Sequence, residues 1–258
     1  MEKDIVLNVN NLSYRYDDAP KDEYVLKNLN YEFECGVVYA IKGKSGSGKT
    51  TLLSLISGLE KKYEGSIKFC NTELKDINLD DYRSKDIGIV FQSYNLLPHL
   101  TAIENIILSM DISGQKYENK RKKAEELIKS VGISSDKKDR RVLKLSGGEQ
   151  QRVAIARSLS YNPKIILADE PTGNLDKDTE NEILKIFKRL ARKENKCIII
   201  VTHSDNVCNQ SDVIYELKKW IMIKFQKLVN KIYKKCRFFK NNKNILGWRS
   251  FQKWSCTQ

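Results

Sequence analysis

The run Gly43-Lys44-Ser45-Gly46-Ser47-Gly48-Lys49-Thr50 is suited to holding a polyphosphate. It fits the pattern G-x-x-x-x-G-K-[ST] between an apolar strand-like stretch and an apolar helix-like one. Small residues let the backbone curl so that successive N–H groups converge on phosphate oxygens, and the helix that follows presents its positive end to the same anion. Lys49 would supply a point charge to the β- and γ-phosphates, and the Thr50 hydroxyl a ligand to Mg²⁺. Kinases, GTPases, helicases and transport ATPases all use such a loop, so the motif sets the ligand class and leaves the activity open.

Further groups narrow the chemistry. Asp169 and Glu170 follow the apolar run 165–168. A carboxylate at such a strand end can hold the cation that Thr50 also binds, and a second acid can take a proton from an attacking water. His203 closes the next buried run, at the same sheet edge, which favours contact with a γ-phosphate. Gln92 ends the strand-like run 87–91, and its amide can both donate and accept near a metal-bound water. In Leu145-Ser146-Gly147-Gly148-Glu149-Gln150, Ser146 and Glu149 form an S-x-x-E capping box that opens a helix. The two glycines inside it sacrifice about 1 kcal/mol each of helix propensity, which suits backbone that must approach something closely. The bare helix start is a second anion site.

The elements that carry these groups follow from periodicity. Residues 5–9, 12–16, 25–33, 37–42 and 66–69 favour extended structure and predict a small antiparallel layer feeding a core strand. Helical spacing begins at Thr50, with Leu52, Leu53, Leu55, Ile56 and Leu59 on one side. Residues 101–159 read as mostly helical. The runs 165–168 and 197–201 lack alternation, as strands buried on both faces do, and an amphipathic helix with Ile183, Leu184, Phe187, Leu190 and Ala191 lies between them. Strand, helix, strand at this spacing predicts a parallel α/β sheet.

Composition bounds the rest. A chain of 258 residues with 40% hydrophobic and 31% charged residues can bury a continuous core. Its net charge of +13 is unevenly placed. Residues 1–217 hold 34 Lys/Arg against 33 Asp/Glu, whereas residues 218–258 hold 12 Lys/Arg and no acid. The basic character therefore belongs to the tail and does not make the main domain a nucleic-acid binder. The start lacks a basic stretch followed by an apolar run, so export is not expected. No run is apolar over about 18 residues, so no membrane span is expected. Cys35, Cys70, Cys197, Cys208, Cys236 and Cys256 stand singly, which reads as reduced thiols.

The phosphate loop, Gln92, residues 145–150, residues 165–170, Asn174-Leu175-Asp176 and His203 occur in the order seen in the ATP-binding subunits of ABC transporters, and the resemblance covers about residues 5–217. Residues 169–176 and 92–98 look most like the ATPases of lipoprotein-release, macrolide-export and bacitracin-type peptide-resistance systems and the related cell-division pair. The resemblance implies an α/β fold, a P-loop NTPase with a RecA-like core, an antiparallel β subdomain and a helical signature subdomain inserted at about 93–160. It implies ATP and Mg²⁺ as ligands and ATP hydrolysis as the reaction. Tyr16 would stack on adenine. Gly43, Lys44, Ser45, Gly46, Ser47, Gly48, Lys49, Thr50 and Thr51 would wrap the phosphates. Gln92 and Asp169 would complete the Mg²⁺ and water shell with Thr50, Glu170 would be the general base, and His203 would sense the γ-phosphate. Ser146, Gly147 and Gly148 would reach the nucleotide bound on a second copy of the chain, and Asp176 would cross the same interface. The implied assembly is a homodimer beneath an integral membrane permease, peripheral on the cytoplasmic face, that powers export or extraction of a peptide, lipoprotein or drug. No nucleic-acid partner is expected.

After the run 212–217 the chain departs from the family pattern of a strand, a Gly-containing turn and a last short strand. Ile221, Phe225, Leu228 and Ile232 fall at helical spacing with lysines opposite, as in a basic amphipathic helix at an anionic membrane surface. A disordered tail and an off-register or fused segment fit residues 218–258 equally well. Two other readings are a non-transport ATPase of the same fold that acts on ribosomes or DNA with the tail as its nucleic-acid contact, and a division-type partner that transmits force without moving a substrate.

Overall fold

The computed structural model describes residues 4–20 and 23–218. The readings of the tail, with Cys236 and Cys256, lie outside the described residues. Two sheets are present. Strands β1 (Ile5–Tyr14), β2 (Leu26–Glu34), β4 (Glu64–Phe69) and β5 (Thr72–Glu73) form an antiparallel sheet in the order β2-β1-β4-β5. Where periodicity predicts separate strands at 5–9 and 12–16, the chain runs as one. Asn11 takes a left-handed conformation (φ 49°) and the pairing register shifts around it, so the strand bends without ending.

The second sheet is parallel. Strands β3 (Val38–Lys42), β6 (Ile87–Val90), β7 (Ile165–Asp169), β8 (Cys197–Thr202) and β9 (Val213–Glu216) lie in the order β6-β7-β8-β3-β9. Alternate side chains of β7 and β8 enter different cores. Ile166, Ala168, Ile198 and Ile200 join one apolar cluster, and Ile165, Leu167, Cys197, Ile199 and Val201 join the other. Burial on both faces accounts for the unbroken apolar runs.

Helix α1 (Lys49–Ile56) follows β3 and buries Leu52, Leu53, Leu55 and Ile56 with the antiparallel layer. A single turn, α2 (Leu79–Asp81), precedes β6. The stretch predicted as mostly helical holds α3 (Ala102–Ser113), α4 (Lys120–Ser130) and α5 (Gly147–Ser158), which pack on one another. Helix α6 (Lys177–Glu194) lays Ile183, Leu184, Phe187, Leu190 and Ala191 on the same side of the parallel sheet as these three. Helix α7 (Asp205–Gln210) follows β8.

The registers set the site. Lys42 pairs with Thr202, and Asp169 with Val201. The segments that leave the sheet after β3, β7 and β8 therefore start side by side, with Gly43, Glu170 and His203 as their first residues. In parallel α/β sheets, ligands bind at this carboxyl edge.

Candidate functional site at the carboxyl edge of the parallel sheet

The loop after β3 is built around close approaches. Gly48 has φ +95°, and a Cβ there would lie 2.7 Å from Leu26 Cδ2, so only glycine fits between the loop and β2. The Lys49 ammonium donates to the carbonyl of Gly43 at 2.9 Å and lies 3.7 Å from Glu170 Oε1. The Ser47 hydroxyl is buried with no hydrogen-bond partner, an orphan of the kind that an added anion or water satisfies. Tyr16 is about half exposed, stands edge-on to Tyr14 and shares a hydrogen bond of 3.2 Å with Thr51 Oγ1. Its ring therefore stands beside the end of the loop.

Glu170 is the hub of the edge. It has a left-handed backbone (φ 44°), uncommon for a non-glycine residue and the sort of local strain that clusters at functional positions. Its Oε2 accepts from Thr202 Oγ1 at 3.1 Å and from the backbone N–H of His203 at 3.3 Å. His203 Nδ1 lies 2.8 Å from Oε1, which leaves Nε2 for a ligand. The Glu170 side chain is 13% exposed and that of His203 68%, so the acid sits inside the edge with the imidazole at its mouth. Burial first, and then the charge of Glu170 beside it, push the Asp169 carboxyl above the usual carboxylate range against the pull of Lys49. A cation bound between these two acids would relieve that repulsion.

The other predicted residues lie elsewhere. The capping box forms as expected: Glu149 N–H donates to Ser146 Oγ, and the Glu149 carboxylate accepts from Ser146 N–H at 2.9 Å. Hydrogen bonds from Lys137 and Ser146 hold that carboxyl below its ordinary range. Ser146, Gly147, Gly148, Asn174, Asp176 and Thr179 line a cleft of 390 Å³ to which none of residues 43–51 contributes. Asp176 is also the N-cap of α6, accepting from the N–H groups of Asp178 (3.1 Å) and Thr179 (3.0 Å). Those bonds and the Thr179 hydroxyl lower its pKa, as expected of an acid that caps a helix N-terminus.

Gln92 faces the loop after β7: its amide donates to Asn174 Oδ1 at 3.3 Å. The next residues fold over α5. Tyr94 and Asn95 are both left-handed (φ 62° and 50°). Their carbonyls accept from the partly buried Arg157 guanidinium, with 3.1 Å to the Tyr94 oxygen. The Tyr94 hydroxyl lies 2.9 Å from where a Cβ on Gly147 would stand. Helix α5 thus grips the Gln92 turn from its last turn and meets its aromatic ring at its first. Hydrogen bonds from a charged donor contribute about 1.5–3 kcal/mol, so Arg157→Ala is expected to lower unfolding free energy by about that amount in urea titration.

Sequence reasoning passed over Glu180. This residue of α6 is 9% exposed, and its carboxylate accepts from Thr172 Oγ1 (3.1 Å), Ser204 Oγ (2.9 Å) and Asn206 Nδ2 (2.8 Å).

Comparison with known proteins bears on what this edge does. The family model described as ABC transporter matches residues 26–173. The chain is 43% identical to the uncharacterized ABC transporter ATP-binding protein YclH of Bacillus subtilis, over 77% of this chain and 88% of that protein. It is 41% identical to the lipoprotein-releasing system ATP-binding protein LolD of Rickettsia bellii, over 83% of this chain and 95% of that protein. Among solved structures it resembles the dimeric post-hydrolysis state of the ATP-binding cassette MJ0796 bound to ADP and Pi, with a TM-score of 0.75 and 37% identity over 83% of this chain and 94% of that one.

Proposed function

The chain belongs to the ABC transporter ATP-binding family, and on that premise we propose that its active unit is a two-fold dimer whose two ATP molecules each lie between the loop 43–51 of one copy and residues 146–148 of the other. The chain is the ATP-binding, ATP-hydrolysing subunit of an ABC transporter. One observation carries the composite reading: the Ser146–Gly148 cleft is built without any residue of the loop 43–51. A second copy supplies what each half lacks, in keeping with the dimeric cassette it resembles.

In this reading Lys49 leaves the Gly43 carbonyl for the β- and γ-phosphates, and the orphaned Ser47 hydroxyl gains a phosphate or water partner. Tyr16 stacks on adenine. Glu170 takes the proton of the attacking water while Thr202 and His203 hold its carboxylate in place, and His203 Nε2 contacts the γ-phosphate. Thr50, Asp169 and Gln92 fit Mg²⁺ as an all-oxygen donor set, and the raised Asp169 carboxyl marks a place where positive charge is wanted. The cation, when bound, neutralises charge on the phosphate oxygens. Residues 1–217 act as the cassette, with 93–160 as its helical part.

Loss of the γ-phosphate removes the anion that both copies share, and the dimer opens. The movement passes through residues 95–101 to a membrane permease at the cytoplasmic face. No helix among the described residues is long and apolar enough to cross a membrane itself. Similarity to LolD favours an extracted lipoprotein or an exported peptide or drug as cargo.

Phosphate release by the purified chain, followed against protein concentration with and without excess EDTA, tests the scheme. Turnover should climb more steeply than linearly with concentration and stop on chelation. Full-speed turnover by a strict monomer would sink it.

A further inference from the structure

We infer that Glu180 is a positioning residue for hydrolysis, whose buried carboxylate ties the loop carrying His203 to the loop that follows Glu170. The inference rests on the roles given above to Glu170 and His203. Three donors from two segments meet on its oxygens: Thr172, two residues beyond Glu170, and Ser204 and Asn206, directly after His203. All three are neutral, so the carboxylate is stabilised by hydrogen bonds and by its place in the first turn of α6, where the helix dipole favours an anion.

The network reaches the hub without a break. Ser204 N–H donates to Thr202 Oγ1 at 3.0 Å, and that hydroxyl donates to Glu170 Oε2. Helix α7 is anchored on α6 by the same polar seam. Asn206 Nδ2 also donates to Asn181 Oδ1 (3.2 Å), and Gln210 Nε2 donates to Asn181 Oδ1 (2.8 Å) and Asn206 Oδ1 (3.1 Å). A contact of this kind fixes position only while every bond is satisfied.

An amide cannot replace the carboxylate. Glutamine offers one acceptor oxygen where three donors converge, and its NH₂ would face a donor. Turning the Asn206 amide to accommodate it would break the bonds to Asn181 and Gln210. Glu180→Gln should therefore loosen the His203 loop while keeping volume and α6 intact.

The test is a double-mutant cycle on the full chain. Glu180→Gln should lower kcat for ATP about tenfold or more, since small displacements of reacting groups are costly, with KM for ATP within about twofold. Added to His203→Ala, it should cause a clearly smaller loss than in the wild-type background, because much of its effect runs through the His203 loop. An unchanged kcat in Glu180→Gln, or the same fold-loss repeated in the His203→Ala background, would overturn the inference. Glu170→Gln run alongside separates the two levels. If that variant keeps hydrolysing, the reading of the edge falls and takes this inference with it; if it is dead while Glu180→Gln is normal, only this inference falls. Should Glu180→Gln fail to fold, Asn206→Ala and Ser204→Ala remove the donors singly and are held to the same outcomes.

Discussion

Glu170→Gln should bind ATP, fail to turn it over and accumulate as a closed dimer. The amide keeps the shape of the carboxylate and can still accept from Thr202 and from the His203 N–H, which lie 3.1 and 3.3 Å away. It cannot take a proton. General-base assistance accounts for about 10²–10⁴ in rate, so phosphate release should fall by a factor in that range. Binding should survive, because the Lys49 ammonium and the loop it anchors are untouched and the substitution removes a negative charge 3.7 Å from that ammonium. With the γ-phosphate intact, the shared anion stays between the two copies. Size-exclusion chromatography should show dimer with ATP and monomer with ADP. Hydrolysis at the wild-type rate would transfer the role of base to another group.

Local signals made much of this edge legible. The phosphate loop is one continuous segment whose chemistry and flanks are written in sequence order. The runs 165–168 and 197–201 betray strands buried on both faces because each residue must suit one core or the other. The capping box of Ser146 and Glu149 is likewise closed within one turn. Contacts made at a distance left no such trace. Gln92 finds Asn174 some 82 positions away, and the Arg157 bonds to the Tyr94 and Asn95 carbonyls depend on a turn with two left-handed residues that no composition rule marks. Glu180 was hidden for a different reason. In sequence it is an acid in the first turn of a charged amphipathic helix, where acids are common on exposed faces; only the fold shows that α7 closes over it. The bend of β1 at Asn11 was hidden too, because Asn10-Asn11 reads locally as a turn and pairing on both edges holds it as strand.

Two inactive variants should restore activity when mixed. Lys49→Ala removes the charge that holds the phosphates, and Gly147→Asp places a carboxylate at the start of α5, where it repels the same anion bound on the other copy. The added side chain at 147 would meet the Tyr94 hydroxyl, the far end of a side chain that can move, so this variant should fold. In a homodimer of either variant both sites are broken, because a two-fold interface repeats each defect. In the mixed dimer both defects fall in one site, and the other pairs an intact loop 43–51 with an intact Gly147. Random pairing makes half of the dimers mixed, each with one working site of two, so about a quarter of wild-type phosphate release should return if the sites work independently. Recovery should be absent from each variant alone and should rise with the mixing ratio to a maximum at equal amounts. Mixtures as dead as their components, with heterodimers demonstrated by differential tagging, would mean that residues 43–51 and 146–148 do not serve one nucleotide across the seam.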